Sequence, residues 1–356
     1  MGGAHIQMSP RERVLAAMRR QKPDCIPKQL DFTPPLQAEF ERRFPGETVE
    51  EHFRLEPRWA GIGPSRVEHD YSGYFADAHV DWTDDWGIGY LDAHFHHFWR
   101  FVHPLRNAQT VQDILDYPFP DLTADYRWEG YAEGVRGWQD KGYPVCAGPA
   151  TQLFEQAWYL RGQEQLLLDF YDNPEMAEAL LDRILEIQLV AGSRAAEAGV
   201  DILRTGDDVG WQQALIMSPT AFRRFLKPRI AKLNQTAKAI KPDLLIFYHT
   251  DGNVEPIIPD LIEAGVDILN PVQPECMDPA KIKRQYGDRL AFWGTMGTQT
   301  TMPFGSVDEV RRVVKERIQT VGPEGLLLAP THVLEPEVPW ENIEAFVEAV
   351  EEYGIL

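Results

Sequence analysis

Four short apolar runs in the last third of the chain each end abruptly in polar or metal-competent residues. Residues 244–248 (LLIFY) run into His249-Thr250-Asp251-Gly252, and residues 266–270 lead to Pro271-Val272-Gln273-Pro274-Glu275-Cys276. Residues 290–293 meet Gly294-Thr295-Met296-Gly297, and residues 326–329 meet Pro330-Thr331-His332. Runs of four or five apolar residues suit strands buried on both faces, as in parallel sheets. Helical patterns at 256–264, 279–285 and 307–321 separate them. Such alternation implies a parallel α/β fold, and in a (β/α)8 barrel the strand C-terminal ends carry the chemistry. His249, Cys276 and His332 are then expected at one mouth.

The same alternation extends back to a strand at 143–148 and another at 201–205, whose tip is Gly206-Asp207-Asp208. A long helical region from 173 to 199 is expected to break near Gly192. Ser9-Pro10-Arg11-Glu12 opens a helix, with a serine cap and a proline at the first helical position, and residues 26–32 read as extended. Residues 33–135 are the least regular part, dense in aromatic and acidic residues. No low-complexity linker divides the 356 residues, so residues 1–356 are read as one domain with an elaborated N-terminal half. The formal charge of -20 excludes the basic stripe that nucleic-acid binding needs. Three widely spaced cysteines offer no disulfide framework, residues 1–8 lack the pattern of a signal peptide, and no apolar run approaches a membrane span. These features point to a cytoplasmic protein that uses no membrane.

Several segments in order, Ser9 to Ala17, Lys22-Pro23-Asp24-Cys25-Ile26-Pro27, Asp84-Asp85-Trp86-Gly87, Gly148-Pro149-Ala150-Thr151, Met217-Ser218-Pro219 and residues 325–346, carry a resemblance. Through them the chain resembles the uroporphyrinogen decarboxylase superfamily, which also contains corrinoid-linked methyltransferases. The resemblance implies a single distorted (β/α)8 barrel with a deep pocket at the strand C-terminal ends. It does not choose the reaction, because one fold hosts many chemistries. The decarboxylases carry Arg-Gln-Ala-Gly-Arg after the first strand to hold a polycarboxylated tetrapyrrole. Here residues 28–35 read KQLDFTPP, without arginine and with Asp31. A polyanion needs fixed guanidinium partners and an aspartate there repels it, so the sequence argues against that substrate. The coenzyme M branch uses zinc held by His-x-Cys and a later cysteine. This chain keeps His249, has Asp251 at the cysteine position, and places His332 near the later one.

The expected metal set is therefore His249, Cys276 and His332 around Zn2+, since zinc favours imidazole and thiolate and a catalytic site keeps a position open. A fourth ligand is left open among Glu155, Asp207, Asp208 and Asp251. Asp207, Asp208 and His332 are the expected acid–base groups, because adjacent carboxylates in a pocket raise one another's pKa. Tyr248, Trp86 and Trp293 are the expected substrate-binding residues. The plain alternatives are a structural histidine at 249, a small buried cysteine at 276 and a solvated turn at 207–208. His94, His96 and His97 read as part of an aromatic-rich strand or lid instead of a metal site. No Gly-x-Gly-x-x-Gly or Walker-type loop supports nucleotide binding. The corrinoid signature Asp-x-His-x-x-Gly is absent, so any corrinoid (cobalamin) must arrive on a partner protein.

The functional expectation is a zinc-dependent, corrinoid-linked methyltransferase of the O-demethylase type. It takes a methyl group from a small-molecule donor, a methoxylated aromatic, and gives it to a corrinoid protein. The alternatives are a metal-free decarboxylase of a small carboxylic acid, with His332 as proton donor, and a barrel that only binds its ligand.

Overall fold

The computed structural model describes residues 7–95 and 97–356, with residues 149–151 by backbone alone. Helix α1 (Pro10–Met18) opens with a full capping box between Ser9 and Glu12. Its buried Val14, Ala17 and Met18 pack against Leu245, Ala291 and Leu327 at the strand starts and close that end of the sheet. Seven strands follow: β1 (Arg58–Ala60), β2 (Val145–Thr151), β3 (Ile202–Gly206), β4 (Leu245–His249), β5 (Ile268–Asn270), β6 (Ala291–Met296) and β7 (Leu326–Pro330). They are parallel, and each neighbours the next in chain order. Lys28 and Phe32 bridge in parallel to Leu328 and Leu334, so the extended segment around them takes the eighth position beside β7. Glu56, just before β1, accepts the Lys28 backbone N–H at 2.9 Å and ties that segment to the first strand. The architecture is a (β/α)8 barrel of the TIM type, as the alternation requires.

Helices α2 (Phe154–Arg161), α3 (Pro174–Glu197), α4 (Lys227–Ile240), α5 (Val307–Thr320) and α6 (Trp340–Tyr353) form much of the outer layer. Helix α3 runs unbroken through Gly192, contrary to the break expected there. A Cβ at 192 would come within 3.2 Å of Leu233 Cδ1, so that glycine lets α3 approach α4 closely. The irregular N-terminal half contains a three-stranded antiparallel sheet of Trp82–Thr83, Gly89–Asp92 and Trp99–Val102. Trp82 stacks on Tyr90 at 4.0 Å as a cross-strand aromatic pair, and Tyr90, Phe101 and Val102 pack this sheet against the main core. Its turn brings His97 Nε2 to 3.6 Å from Glu335 beyond β7, while His94 lies exposed beside Asp92. His96 lies outside the described residues.

Strand alternation sorts the side chains. Ile202, Leu245, Phe247, Ile268, Ala291, Trp293, Leu327 and Ala329 point into the barrel, while Leu203, Ile246, Tyr248, Leu269, Phe292 and Leu328 face the helices. Counting round the eight positions, the segment carrying Gln29 and Asp31 stands four places from β4, on the opposite wall.

Candidate functional site

The barrel interior opens at the strand C-terminal ends into a cavity of ≈ 330 Å³. Trp59, Phe247 and Trp293 supply its aromatic walls, and Gln29, Asp31, Arg204, His249, Asn270 and His332 its polar groups. An eight-strand barrel leaves room for packed side chains or one small ligand. Here the second arrangement holds at the upper end.

His249 is the last residue of β4, and its ring is fixed by a chain of hydrogen bonds. Asn270 Nδ2 donates to the Trp293 carbonyl at 2.7 Å, and a carbonyl can only accept. Asn270 Oδ1 must therefore face His249 Nδ1, 2.5 Å away, and accept its proton. That assigns the Nδ1–H tautomer and leaves Nε2 as the outward atom. Nε2 lies 3.6 Å from Asp208 Oδ1, and ligand atoms of Asp208, His249 and Asp251 all fall within 4.8 Å of one another. Asp208 Oδ1 also accepts the Asp251 backbone N–H at 2.8 Å, tying the tips of β3 and β4 together.

Gly206 makes that approach possible. It sits at φ +144°, and a Cβ there would lie 2.3 Å from the His249 carbonyl oxygen. The turn after it sends the two aspartates in opposite directions. Asp208 reaches the cluster, whereas Asp207 is 1% exposed and accepts the N–H groups of Leu153 and Glu155 at 2.8 and 2.9 Å. Asp207 thus anchors the N-terminal turn of α2 behind the barrel wall. Burial, and then the Glu155 charge, push its pKa well up despite those donors.

Glu155 is buried beside the cluster and accepts from Gln152 Nε2 at 2.6 Å. Burial and the Asp208 charge raise it to about 7, against the pull of His249. Asp251 is raised by burial, partly offset by His249, with Asp208 raising it further. Its Oδ1 is buried and finds no hydrogen-bond partner among the described residues. A buried carboxylate oxygen left unpaired beside a bare imidazole nitrogen is an arrangement that suits a bound electrophile. One imidazole and two carboxylates make a donor set that suits a zinc ion, so the residues fit the expected metal.

The other residues singled out from the sequence are placed differently. Cys276 turns its Sγ towards Gln273 Oε1 at 3.5 Å and does not join the cluster, although Asp251 lies within electrostatic reach. Burial, then Glu275 and Asp251, raise its pKa, which disfavours the thiolate. His332 sits at the rim with Nδ1 3.3 Å from the Val333 carbonyl, on the wall between this cavity and a second one near Phe304. Trp293 lines the cavity. Tyr248 does not, because Phe247 and His249 take the inner face of β4 and leave 248 on the outer one. It is buried there with its hydroxyl unpaired among the described residues, and burial raises its pKa strongly. Trp86 also lies elsewhere. Asp84 Oδ1 accepts the Trp86 and Ile88 N–H groups at 2.9 Å each, so Asp84-Asp85-Trp86-Gly87 is a turn, with Trp86 edge-on to Phe119. Arg204, Asn270, Gln29 and Trp59 escaped the sequence reading. For Arg204 and Asn270 the signal was present, since both fall on the inward parity of their strands.

A (β/α)8 barrel with an imidazole–carboxylate cluster over an aromatic cavity defines the general class. Residues 109–353 match the family described as uroporphyrinogen decarboxylase (URO-D), more than half of the chain, and the protein belongs to that family. It is 30% identical over 180 residues to the methylcobamide:CoM methyltransferase MtaA of Methanosarcina barkeri, covering 50% of each chain. It is 30% identical over 212 residues to a uroporphyrinogen decarboxylase of Thermus thermophilus, covering 59% of this chain and 55% of that one. The chain thus spans about half the length of the curated relatives it matches. A solved methyltransferase from Methanosarcina mazei superposes with a TM-score of 0.70 over 97% of this chain and 99% of its own, at 21% identity. Among the described residues no helix is long and apolar enough to cross a membrane.

Proposed function

We propose that this chain is a methyltransferase that takes a methyl group from a small donor, a methoxylated aromatic, and passes it to a corrinoid on a separate protein. The observation that carries the reading is the cluster of His249, Asp208 and Asp251, in which the buried Asp251 Oδ1 has no hydrogen-bond partner among the described residues and His249 lines the aromatic cavity. We assign His249, Asp208 and Asp251 as the residues that hold Zn2+, in place of the set with Cys276 and His332 expected from the sequence. When bound, the ion supplies Lewis-acid charge that lowers the barrier to losing a phenolate.

The chain's own groups do the rest. Trp59, Phe247 and Trp293 hold the ring by stacking and exclude water from it. Asn270 keeps His249 in one tautomer and one orientation. The carbon–oxygen bond breaks with its electron pair left on oxygen, and the methyl carbon passes to the second substrate, a corrinoid that must arrive reduced so that it supplies the electron pair of the new bond. His332, at the rim, returns a proton to that oxygen. Similarity to a named methyltransferase supports the reaction class. A second reading, a decarboxylase of a small acid with His332 as proton donor, is favoured by one observation, the Arg204 guanidinium in the cavity.

The test is metal analysis with single-turnover assays. Wild type and Cys276→Ser should carry about one zinc, and His249→Ala should carry none while staying folded. Methoxyarenes with a reduced corrinoid protein should yield the phenol and the methylated corrinoid. Release of carbon dioxide from a carboxylic acid, with no methyl transfer from any methoxyarene, would establish the second reading instead.

A further inference from the structure

Across the cavity from His249 lies a second polar group of residues that the reaction above does not use. Trp293 Nε1, which can only donate, is 3.3 Å from Gln29 Oε1. That fixes the Gln29 amide, so its NH2 is the group that acts on the Asp31 carboxylate and favours its charged form. Asp31 is exposed, and it lines both this cavity and a second hollow beside Gln37, Glu41 and Glu50. Confinement raises its pKa, and the Gln29 hydrogen bond and the Arg204 charge pull it back. The Arg204 guanidinium carbon lies 5.5 Å from the centre of the Trp59 ring, and the Trp59 and Trp293 rings are 6.5 Å apart. Asp31 stands on the wall opposite His249, and Arg204, which starts from β3 beside β4, sends its guanidinium across the cavity to Trp59 of β1 and towards Asp31, so an acceptor and a donor meet there between two indoles.

Resting on the methyl-transfer reading, we propose that Asp31 and Arg204 form a recognition pair for a hydroxyl group on the substrate ring, across from the methoxy group. A hydroxyl donates to Asp31 and accepts from Arg204 at once. A carboxylate satisfies Arg204 but meets the Asp31 charge, and an unsubstituted ring leaves both groups facing an apolar edge. The geometry also sets the position. Asp31 and His249 stand four strand positions apart, on opposite walls of a barrel that leaves space for one small ligand, so the two substituents lie on opposite sides of the ring. The substrate class is thus a 4-methoxyphenol, neutral and flat.

Binding is measured by quenching of tryptophan fluorescence in the full-length, zinc-free protein, without corrinoid, so that it is independent of turnover. The probes are 4-methoxyphenol, methoxybenzene and 4-methoxybenzoate. Wild type should bind 4-methoxyphenol roughly 10- to 100-fold more tightly than methoxybenzene, the range for a hydrogen bond to a charged group. Asp31→Asn should raise affinity for 4-methoxybenzoate about tenfold by removing the repulsion, and Arg204→Met should remove the preference for the hydroxyl. Arg204→Lys should recover part of it. Equal binding of methoxybenzene and 4-methoxyphenol by wild type, or tighter binding of the benzoate, would overturn the proposal, and neither result depends on a variant folding. The outcomes separate from those of the methyl-transfer reading. Preference for the phenol without any methyl transfer sinks that reading and leaves the recognition pair standing. Transfer from methoxybenzene and 4-methoxyphenol with equal affinity does the reverse.

Discussion

Replacing Asn270 tests the link between a buried amide and the candidate metal site. Asn270 makes two hydrogen bonds, accepting from His249 Nδ1 at 2.5 Å and donating to the Trp293 carbonyl at 2.7 Å. Asn270→Ala removes both and leaves a buried carbonyl and a ring N–H unpaired. Unsatisfied buried groups cost about 1–3 kcal/mol each, and water entering from the adjacent cavity recovers part of that. The expected loss of stability is about 2–3 kcal/mol in zinc-free protein, read from urea unfolding. The effect on metal should be separable. Removing the partner that orients a ligating histidine typically weakens metal binding by roughly 10- to 100-fold. Competition with a chromophoric chelator reads that directly. In parallel, nitrogen NMR of zinc-free wild type should show His249 as the Nδ1–H tautomer, with a mixture of tautomers in Asn270→Ala. Unchanged zinc affinity in a variant whose ring has lost its single tautomer would refute the reasoning, because His249 would then not bind metal through Nε2.

Three further outcomes follow from the geometry. Asp207→Ala, which strips the N-terminal turn of α2 of its acceptor, should lower stability by about 2–4 kcal/mol. Retained stability with abolished turnover would instead return Asp207 to the catalytic role expected from the sequence. Gly206→Ala should be among the most damaging single substitutions, by more than about 3 kcal/mol, since it combines a 2.3 Å contact to backbone with φ +144°; a thermal melt within a degree or two of wild type would contradict the packing of β3 on β4. Glu155 predicts a pH dependence in zinc-free protein. Its folded pKa of about 7 lies above the ordinary 4.5, so the folded state binds more protons and stability falls as pH rises from about 4.5 to 7. The loss is on the order of 3 kcal/mol at most, and Glu155→Gln should flatten that part of the profile, as measured by urea midpoints between pH 4.5 and 8. An identical profile in the variant would place the titration elsewhere.

Period and punctuation were enough to read the barrel. Apolar runs such as 244–248 and 326–329, each ending at polar residues with a helical pattern between, admit few arrangements other than parallel strands with covering helices. Period 2 within those runs also held the inward parity of His249 and Trp293, and the same parity sets Tyr248 outside the cavity. The serine–proline helix start at Ser9 was legible for the same local reason, as Ser9 caps its helix through its side chain. What the sequence could not supply was everything decided by the turn beyond a strand. Whether Asp207 or Asp208 enters the mouth depends on the positive-φ turn at Gly206, which exists because His249 backbone presses on it from a neighbouring strand. Cys276 and Asp251 are equally plausible ligands by residue type, but only the register of β3, β4 and β5 brings Asp208 and Asp251 to His249 and turns the thiol towards Gln273. Arg204 and Asp31 lie 173 positions apart in the chain, and only barrel closure brings them into one cavity. Strand identity comes from local patterns of hydrophobicity, whereas a site is a set of long-range contacts, and those are fixed by how the strands close round the barrel.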